Sequence, residues 1–353
     1  MKRGAGRSSW MLAAGVVAGA LASAGQQVNP PTVTLPQMAG QNEQMEAPVA
    51  GQVEIQSSPL ADPVLAECLG LIEKHDYTDA GQKIQSYLHD HPDSATGHFL
   101  LGYALYRENK PRESLAEYTS GARLRKPEAN DLAVVAMDYI LLSDYADADK
   151  WLTQAAAWSP DNELYCYYLG RTKYAENHFQ EAVDVFGQCL RLAPHDLRAE
   201  YNLGLAYAGL GRNDAATTAY LTAIAWERGS DAQDPQPYLD LGVLLLDESK
   251  PDQALPQLQK AVAIDPKNPR AHEELAQTWQ QLQNLAKADV EMQAAVALAP
   301  EVPSLHFEMG RIFQREGLSA KAKEEFARCA ALNATHSTDS AETPNPAPPN
   351  EKK

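Results

Sequence analysis

The sequence is poor in cysteine, in positive charge and in long apolar runs, and each shortage excludes a class of protein. Four cysteines in 353 residues are far too few for a scaffold built on disulfides. The 30 Lys and Arg residues stand against 47 Asp and Glu, a net charge of −17, whereas a protein that follows nucleic-acid phosphates needs a basic surface. The same acidity argues against adhesion to an anionic membrane.

The first 24 residues have the composition of an export signal. Basic residues precede the apolar run WMLAAGVVAGAL, and an A-x-A cleavage pattern follows at residues 22–24. The run is shorter than the ~20 residues that span a bilayer. We therefore expect cleavage near Ala24 and a periplasmic or secreted protein of a bacterium. An uncleaved N-terminal segment that anchors the chain is the alternative.

Two further segments have compositions that do not support a folded core. Residues 25–60 contain no aromatic residue and are rich in Gln, Pro and Gly, and residues 337–353 (STDSAETPNPAPPNEKK) are rich in Ser, Pro and Glu. Such segments bury too little apolar surface to offset the entropy of ordering them. We expect a disordered linker at 25–60 and a disordered tail at 337–353.

Between these segments the same residue types recur every 34 residues. Numbering each copy from 1 to 34, position 8 is always small: Cys68, Gly102, Ala136, Gly170, Gly204, Gly242, Ala276 and Gly310. Position 20 is also small: Ala80, Ser114, Ala148, Ala182, Ala216, Ala254, Ala288 and Ala322. Position 32 is proline in five copies: Pro92, Pro160, Pro194, Pro266 and Pro300. A fixed period of this length predicts a repeat protein.

The spacing within one copy predicts two helices. Small residues at positions 8 and 20 allow two amphipathic helices to cross closely, and proline at position 32 ends the second helix. The period slips once, at the insertion DAQD (231–234). The repeat array covers residues 61–336 in eight copies: 61–94, 95–128, 129–162, 163–196, 197–230, 235–268, 269–302 and 303–336.

The pattern L-G-x-x-Y/L…A-x-x-x-F/Y…P at this period resembles the tetratricopeptide repeat. In copy 4 it consists of Leu169-Gly170, Ala182, Phe186 and Pro194. The resemblance implies an all-α fold, a right-handed superhelical solenoid of about eight helix-turn-helix repeats. It also implies that outward positions of each first helix line a concave groove that holds a protein or peptide segment.

No catalytic, cofactor or metal site is predicted. The stretch AHEELAQ (271–277) begins like a zinc-protease H-E-x-x-H helix, but Ala276 stands where the second ligand is needed. His98, His272 and His306 all occupy position 4, so their place in the repeat explains them. The sequence contains neither a G-x-S-x-G nucleophile motif nor a phosphate-binding glycine loop. We therefore expect a protein that is not an enzyme.

The cysteines are expected to be mainly core residues. Cys68 takes position 8, and Cys189 and Cys329 take position 27, where other copies have Ala or Gly in most cases. Cys166 lies at position 4 of the copy that contains Cys189. In an antiparallel helix pair the start of the first helix lies beside the end of the second, so a disulfide between Cys166 and Cys189 is allowed, and two separate buried thiols are the alternative.

The groove implied by the resemblance is rich in tyrosine in copies 2 to 5 and acidic in copies 6 to 8. Tyr and Arg are enriched at binding hot spots because they bury a large area and keep a polar group. The candidate partner-binding residues are Phe99, Tyr103, Tyr167, Tyr168, Arg171, Tyr174, Arg198, Tyr201 and Asn202, and the acidic residues are Asp240, Glu273, Glu274 and Glu308. Arg171 and Arg198 favour a partner with carboxylates.

These observations lead to one expected function and one alternative. The expected function is an exported, non-enzymatic scaffold or adaptor that binds a protein or peptide segment in its groove, with no nucleic-acid partner and no cofactor. The alternative is a glycan-binding accessory protein in envelope polysaccharide export or assembly, because tyrosine faces also stack on sugar rings.

Overall fold

The computed structural model describes residues 62–227 and 233–341. The expected export signal, the expected linker at 25–60, residues 228–232 and residues 342–353 lie outside the described residues. Helices follow one another along the described chain, and no strand occurs in it. This is the all-helical repeat fold that the 34-residue pattern predicted.

The helices come in pairs, one pair in each of the eight 34-residue ranges. The first unit, which ends at Ala199, contains α1 (Pro63–Glu73), α2 (Tyr77–Asp90), α3 (Ala95–Arg107), α4 (Pro111–Leu124), α5 (Ala129–Leu141), α6 (Tyr145–Trp158), α7 (Glu163–Ala175) and α8 (Phe179–Leu192). From α1 to α8, each helix of this unit packs on the next.

The boundary with the second unit falls within α9 (Leu197–Gly209), since that unit begins at Glu200. The second unit continues with α10 (Asn213–Glu227), α11 (Gln236–Asp247), α12 (Pro251–Ile264), α13 (Pro269–Gln281), α14 (Leu285–Leu298), α15 (Pro303–Arg315) and α16 (Ser319–Ala341). From α10 onward each helix again packs on the next. Helix α16 enters the range expected to be a disordered tail, because it continues past residue 337 to Ala341.

Helix starts follow from short polar residues and from proline. The Asn162 side chain accepts hydrogen bonds from the backbone N–H groups of Leu164 and Tyr165, at the start of α7. Asn268 caps α13 in the same way, and Pro269 is the first residue of that helix. Proline is favoured there because its missing N–H would have no partner within the helix.

Every helix pair is joined by a turn in which position 15 of the copy is left-handed. The φ angle lies between 58° and 79° at His75, Asn109, Ser143, Asn177, Gly211, Ser249, Gln283 and Gly317. Only two of these residues are glycine, although glycine adopts this conformation at the lowest cost. The left-handed turn therefore recurs in every copy, although the residue type at position 15 varies from copy to copy.

Position 8 of the first helix packs on position 24 of the second helix in the same copy. A Cβ atom added to Gly204 would lie 2.6 Å from the Tyr220 ring, so the aromatic ring occupies the space that a side chain would need. Where position 8 is alanine, as at Ala136, position 24 is the slimmer Leu152, and both are fully buried. The small residue at position 8 and the large residue at position 24 together set how closely the two helices approach.

Candidate functional site

The candidate surface of the first unit is a cluster of tyrosines and arginines on α7 and at the start of α9. The Tyr–Arg cluster consists of Tyr167, Tyr168, Arg171, Tyr174 and Arg198. The Cζ atoms of Arg198 and Arg171 lie 4.8 Å and 5.8 Å from the centroid of the Tyr167 ring. Two guanidinium groups thus approach one aromatic ring, a favourable cation–π arrangement.

Burial divides the Tyr–Arg cluster into a packed part and an accessible part. Only 7% of Tyr167 and 2% of Tyr168 are exposed, and the Tyr167 ring packs 6.3 Å from Phe186. Burial raises the pKa of Tyr168 to about 12, and the nearby Arg171 and Arg198 lower it in part. The Arg198 side chain is 42% exposed, and Arg171 and Tyr174 are half-buried. A partner would therefore meet the arginines and Tyr174 more than the two buried rings.

The two candidate residues of copy 2 lie in the core. Phe99 and Tyr103 are 5% and 3% exposed. The Phe99 ring lies 5.8 Å from the Tyr118 ring and occupies the space that a Cβ on Gly121 would need. The Tyr103 hydroxyl accepts a hydrogen bond of 2.9 Å from Nη1 of Arg107. Both residues hold α3 in place and present little surface to a partner.

Tyr201 and Asn202 belong to the second unit, where Tyr201 contacts an acidic residue. The Tyr201 hydroxyl donates to Oδ2 of Asp240 at 2.6 Å, and Nη2 of Arg270 lies 3.7 Å from Oδ1 of the same carboxylate. Asn202 is 9% exposed. The Asp240 carboxylate thus has an ion pair with Arg270 and a hydrogen bond from a phenol within the unit.

Burial raises the pKa of two acidic residues in the second unit, Glu273 and Glu274. Burial raises the pKa of Glu274 to about 7; Arg270 lowers it, and Glu273, Asp247 and Asp240 raise it further. Burial also raises the pKa of Glu273, with a further rise from Glu308. Since carboxylates close together disfavour each other's charge, a cation brought to this surface would be attracted.

The two cysteines of copy 4 are joined in the structure. Cys166 on α7 and Cys189 on α8 form a disulfide, with their Cα atoms 5.6 Å apart, inside the range that such bonds require. Cys68 is a buried free thiol and Cys329 is a half-buried one. The disulfide ties the start of the helix that carries the Tyr–Arg cluster to the end of its partner helix.

Three histidines at position 4 share a contact that the sequence interpretation missed. Nδ1 of His272 lies 2.7 Å from Oε2 of Glu291, and its Nε2 lies 3.2 Å from the carbonyl oxygen of Pro266. His98 with Glu117, and His306 with Glu325, repeat this arrangement. The signal was available, since Glu occupies position 23 in those three copies and in none of the other five. Each histidine lies on the first helix of its copy. It contacts the second helix of that copy and the end of the preceding copy.

Two kinds of functional element have no counterpart in the part of the chain that the structure describes. Its histidines, cysteines and carboxylates form no group of three or more arranged to hold a metal ion. None of its helices is both long enough and apolar enough to cross a bilayer.

Sequence models described as tetratricopeptide repeat match residues 65–130, 167–235 and 245–306, together more than half of the chain. The chain belongs to the tetratricopeptide repeat family. The Tyr–Arg cluster begins at the first residue of the second matched segment and lies wholly within it. Its residues therefore lie in regular tetratricopeptide repeats, on the first helix of copy 4 and at the start of copy 5.

Two solved structures show the same fold, and a third is similar over about half of this chain. A tetratricopeptide repeat protein from Parabacteroides merdae is 15% identical, with a TM-score of 0.54 over 76% of this chain and 97% of that one. The hetero-tetramer Cut9–Hcn1 of APC/C gives 15% identity and a TM-score of 0.51 over 79% of this chain and 54% of that one. MamA from Desulfovibrio magneticus RS-1 is 24% identical, with a TM-score of 0.45 over 49% of this chain and 96% of that one.

Proposed function

We propose that this tetratricopeptide repeat protein is a non-enzymatic scaffold that binds a carboxylate-bearing protein segment at the Tyr–Arg cluster. The observation that carries the proposal is the placement of Arg171 and Arg198 around the Tyr167 ring. In a chain of net charge −17, two accessible guanidinium groups beside aromatic rings form a local site for anionic side chains. Arginine suits this role because its planar group binds carboxylates in a bidentate way.

The Tyr–Arg cluster is pre-organised for binding. The Arg198 guanidinium is held by Asp196, with Nε and Nη2 each 3.4 Å from a carboxylate oxygen, and its Cζ atom lies 4.8 Å from the centroid of the Tyr167 ring. Tyr167 is itself fixed between Tyr168 and Phe186. A side chain that is already ordered loses less entropy when a partner binds.

A protein segment suits this surface better than a glycan. Stacking on a sugar needs an open ring face, and the rings of Tyr167 and Tyr168 are 7% and 2% exposed. The accessible groups are guanidinium groups and the half-buried Tyr174, which contacts the Phe179 ring at 5.4 Å. These groups favour salt bridges and hydrogen bonds over ring stacking.

The binding proposal is tested with a peptide array of graded acidity and purified variants. We expect the native protein to bind peptides rich in Asp and Glu, with an affinity that falls as salt rises. The Arg171→Ala/Arg198→Ala variant is expected to weaken this binding by about tenfold or more, since each tenfold step is only about 1.4 kcal/mol. Arg191→Ala is the matched control, because Arg191 is an exposed arginine on α8. Equal binding by the native and the double-variant protein would refute the proposal.

Export is the second part of the proposal. It is supported by the N-terminal composition and by the Cys166–Cys189 disulfide, since disulfides persist mainly in oxidising compartments. N-terminal sequencing of protein from the native cells is the test, with a start at Gly25 as the expected result. A mature protein that retains residues 1–24 would instead support the anchored form.

A further inference from the structure

Two departures from the repeat pattern meet in the core of the first unit. Position 20 is alanine in seven copies and Ser114 in copy 2. Position 10 is glycine, alanine, leucine, isoleucine or threonine in seven copies and Asp138 in copy 3. Ser114 on α4 and Asp138 on α5 are both 0% exposed, and they contact each other. An ionisable side chain thus stands at a position that every other copy fills with an uncharged residue.

The contact is a short chain of three groups. The Ser114 hydroxyl donates to the carbonyl oxygen of Gly102 at 2.8 Å, and Oδ2 of Asp138 lies 2.5 Å from the same Oγ atom. Oδ1 of Asp138 is buried and has no hydrogen-bond partner among the described residues. The groups belong to α3, α4 and α5, so the chain joins copy 2 to copy 3.

The surroundings of Asp138 supply no positive charge. Burial raises its pKa to about 8 and the Ser114 hydroxyl lowers it, while no lysine or arginine among the described residues contributes. The titratable groups that face it are phenols: Tyr106 of α3, Tyr118 of α4 and Tyr139 of α5. A phenol on each of these helices gives a carboxylate much less stabilisation than a cation would.

Counting protons decides how the chain is bonded. A serine hydroxyl carries one proton, and Oγ of Ser114 lies within hydrogen-bond distance of two acceptors, the carbonyl oxygen of Gly102 and Oδ2 of Asp138. Both contacts are hydrogen bonds at the same time only if Asp138 is protonated and donates to Ser114 while Ser114 donates to Gly102. An ionised Asp138 would leave two acceptors competing for one hydroxyl proton and a negative charge in an apolar core.

We propose that Asp138 is a neutral carboxylic acid in the folded protein, and that its ionisation at alkaline pH is a switch that loosens the junction of copies 2 and 3. Below the switch, Asp138 donates to Ser114 and Ser114 donates to Gly102, so the three helices are tied together. Above it, the buried charge favours opening of the junction. Folding takes up one proton at this site, because the same carboxyl is ionised in the unfolded chain above about pH 4.

The protonation state is measured directly in the native protein. The side-chain carboxyl carbon of Asp138 is followed by ¹³C NMR between pH 4 and pH 9, with Asp138→Asn used for assignment. We expect the resonance of the protonated acid at pH 6 and a titration above neutral pH. Titration near pH 4, as for an exposed aspartate, would overturn the proposal. The titration itself is followed in the native protein alone. If Asp138→Asn does not fold, the resonance is assigned by an NMR experiment that links the side-chain carboxyl carbon to the backbone of Asp138.

The consequence for stability is measured with chemical denaturation of the native protein and of Asp138→Asn. The amide keeps the shape and donates to Ser114 without titrating. The ratio of the two unfolding equilibrium constants, native over variant, is expected to rise about tenfold per pH unit between about pH 5 and pH 7 and to level off above about pH 8. Asp161→Asn is the control, since Asp161 is an exposed aspartate. A ratio independent of pH would overturn the proposal.

Discussion

A Cβ atom on Gly170 would lie 2.6 Å from Cε1 of Phe186, closer than real side chains come. Because Gly170 has no side chain, the Phe186 ring of α8 can pack against the backbone of α7. Gly170→Ala is expected to lower the free energy of unfolding by roughly 1–3 kcal/mol, the cost of overpacking a core. Chemical denaturation of the native protein and the variant measures this change.

The same helix pair offers a control and a rescue for Gly170→Ala. Gly187 is also within a helix, but an added Cβ would meet nothing nearer than Arg191 at 3.9 Å. Gly187→Ala is expected to stabilise by about 0.5–1 kcal/mol, because it only reduces the freedom of the unfolded chain. Phe186→Leu should relieve the clash of Gly170→Ala, since copy 3 has Ala136 and Leu152 at these positions. Equal effects at the two glycines would contradict the packing argument.

The His272–Glu291 contact is expected to stabilise copy 7. His272→Phe keeps an aromatic ring but removes the hydrogen-bond partner of the half-buried Glu291 carboxylate and of the Pro266 carbonyl, at a cost of about 0.5–1.5 kcal/mol. A double-mutant cycle with Glu291→Gln isolates the pair, and we expect a coupling of roughly 0.5–3 kcal/mol. Additive effects of the two substitutions would show that the residues are neighbours without energetic interaction.

The cysteines are expected to differ in their reaction with an alkylating reagent. In native protein purified without reductant, the half-buried Cys329 should react and the buried Cys68 should not. Denaturation should add one label, and reduction two more from Cys166 and Cys189. Intact-mass measurement counts the labels, and four labels without reductant would exclude the disulfide.

Reduction of the Cys166–Cys189 bond is expected to destabilise the protein. The bond closes a loop with a sequence separation of 23, and disulfides of this kind contribute about 2–4 kcal/mol by restricting the unfolded chain. Thermal unfolding with and without reductant measures the loss. The Cys166→Ala/Cys189→Ala variant serves as the control, because its unfolding should not respond to reductant.

Substitutions within the Tyr–Arg cluster are expected to separate folding from binding. Tyr167→Ala removes a buried ring that packs on Phe186 and should cost about 3–5 kcal/mol of stability. Arg171→Ala affects a half-buried side chain and should change stability by less than about 1 kcal/mol while weakening partner binding. Circular dichroism melting and peptide titration on the same samples compare the two. A stability loss at Arg171 as large as that at Tyr167 would assign both residues to the core.

Much of the helical architecture was predictable because it depends on local and periodic features. Two small residues in every 34, and a proline in five of the eight copies, indicate where helices cross and end. These residue types are visible in the chain without coordinates. The left-handed turns were less visible, since residues as different as His75, Ser249 and Gln283 adopt them. Their conformation is imposed by the packing of the two helices that they join.

The sequence assigned the candidate residues to repeat positions but did not predict how exposed they are. Repeat numbering places Phe99, Tyr103 and Tyr167 on outward positions of the first helices, yet all three are buried. Numbering describes one helix at a time, whereas exposure depends on how neighbouring side chains fill the space between copies. Large rings fill that space, and the longer side chains of Arg171 and Arg198 extend beyond it.

The sequence by itself determined the period, the helix pairs and the membership of the tetratricopeptide repeat family, because each of these depends on residue types at fixed spacing. Only the tertiary structure decided which unusual residues meet. Ser114 and Asp138 are 24 positions apart, His272 and Glu291 are 19 apart, and Cys166 and Cys189 are 23 apart. These contacts form where helices pack side by side, so their chemistry follows from distances in space that a 34-residue pattern does not contain.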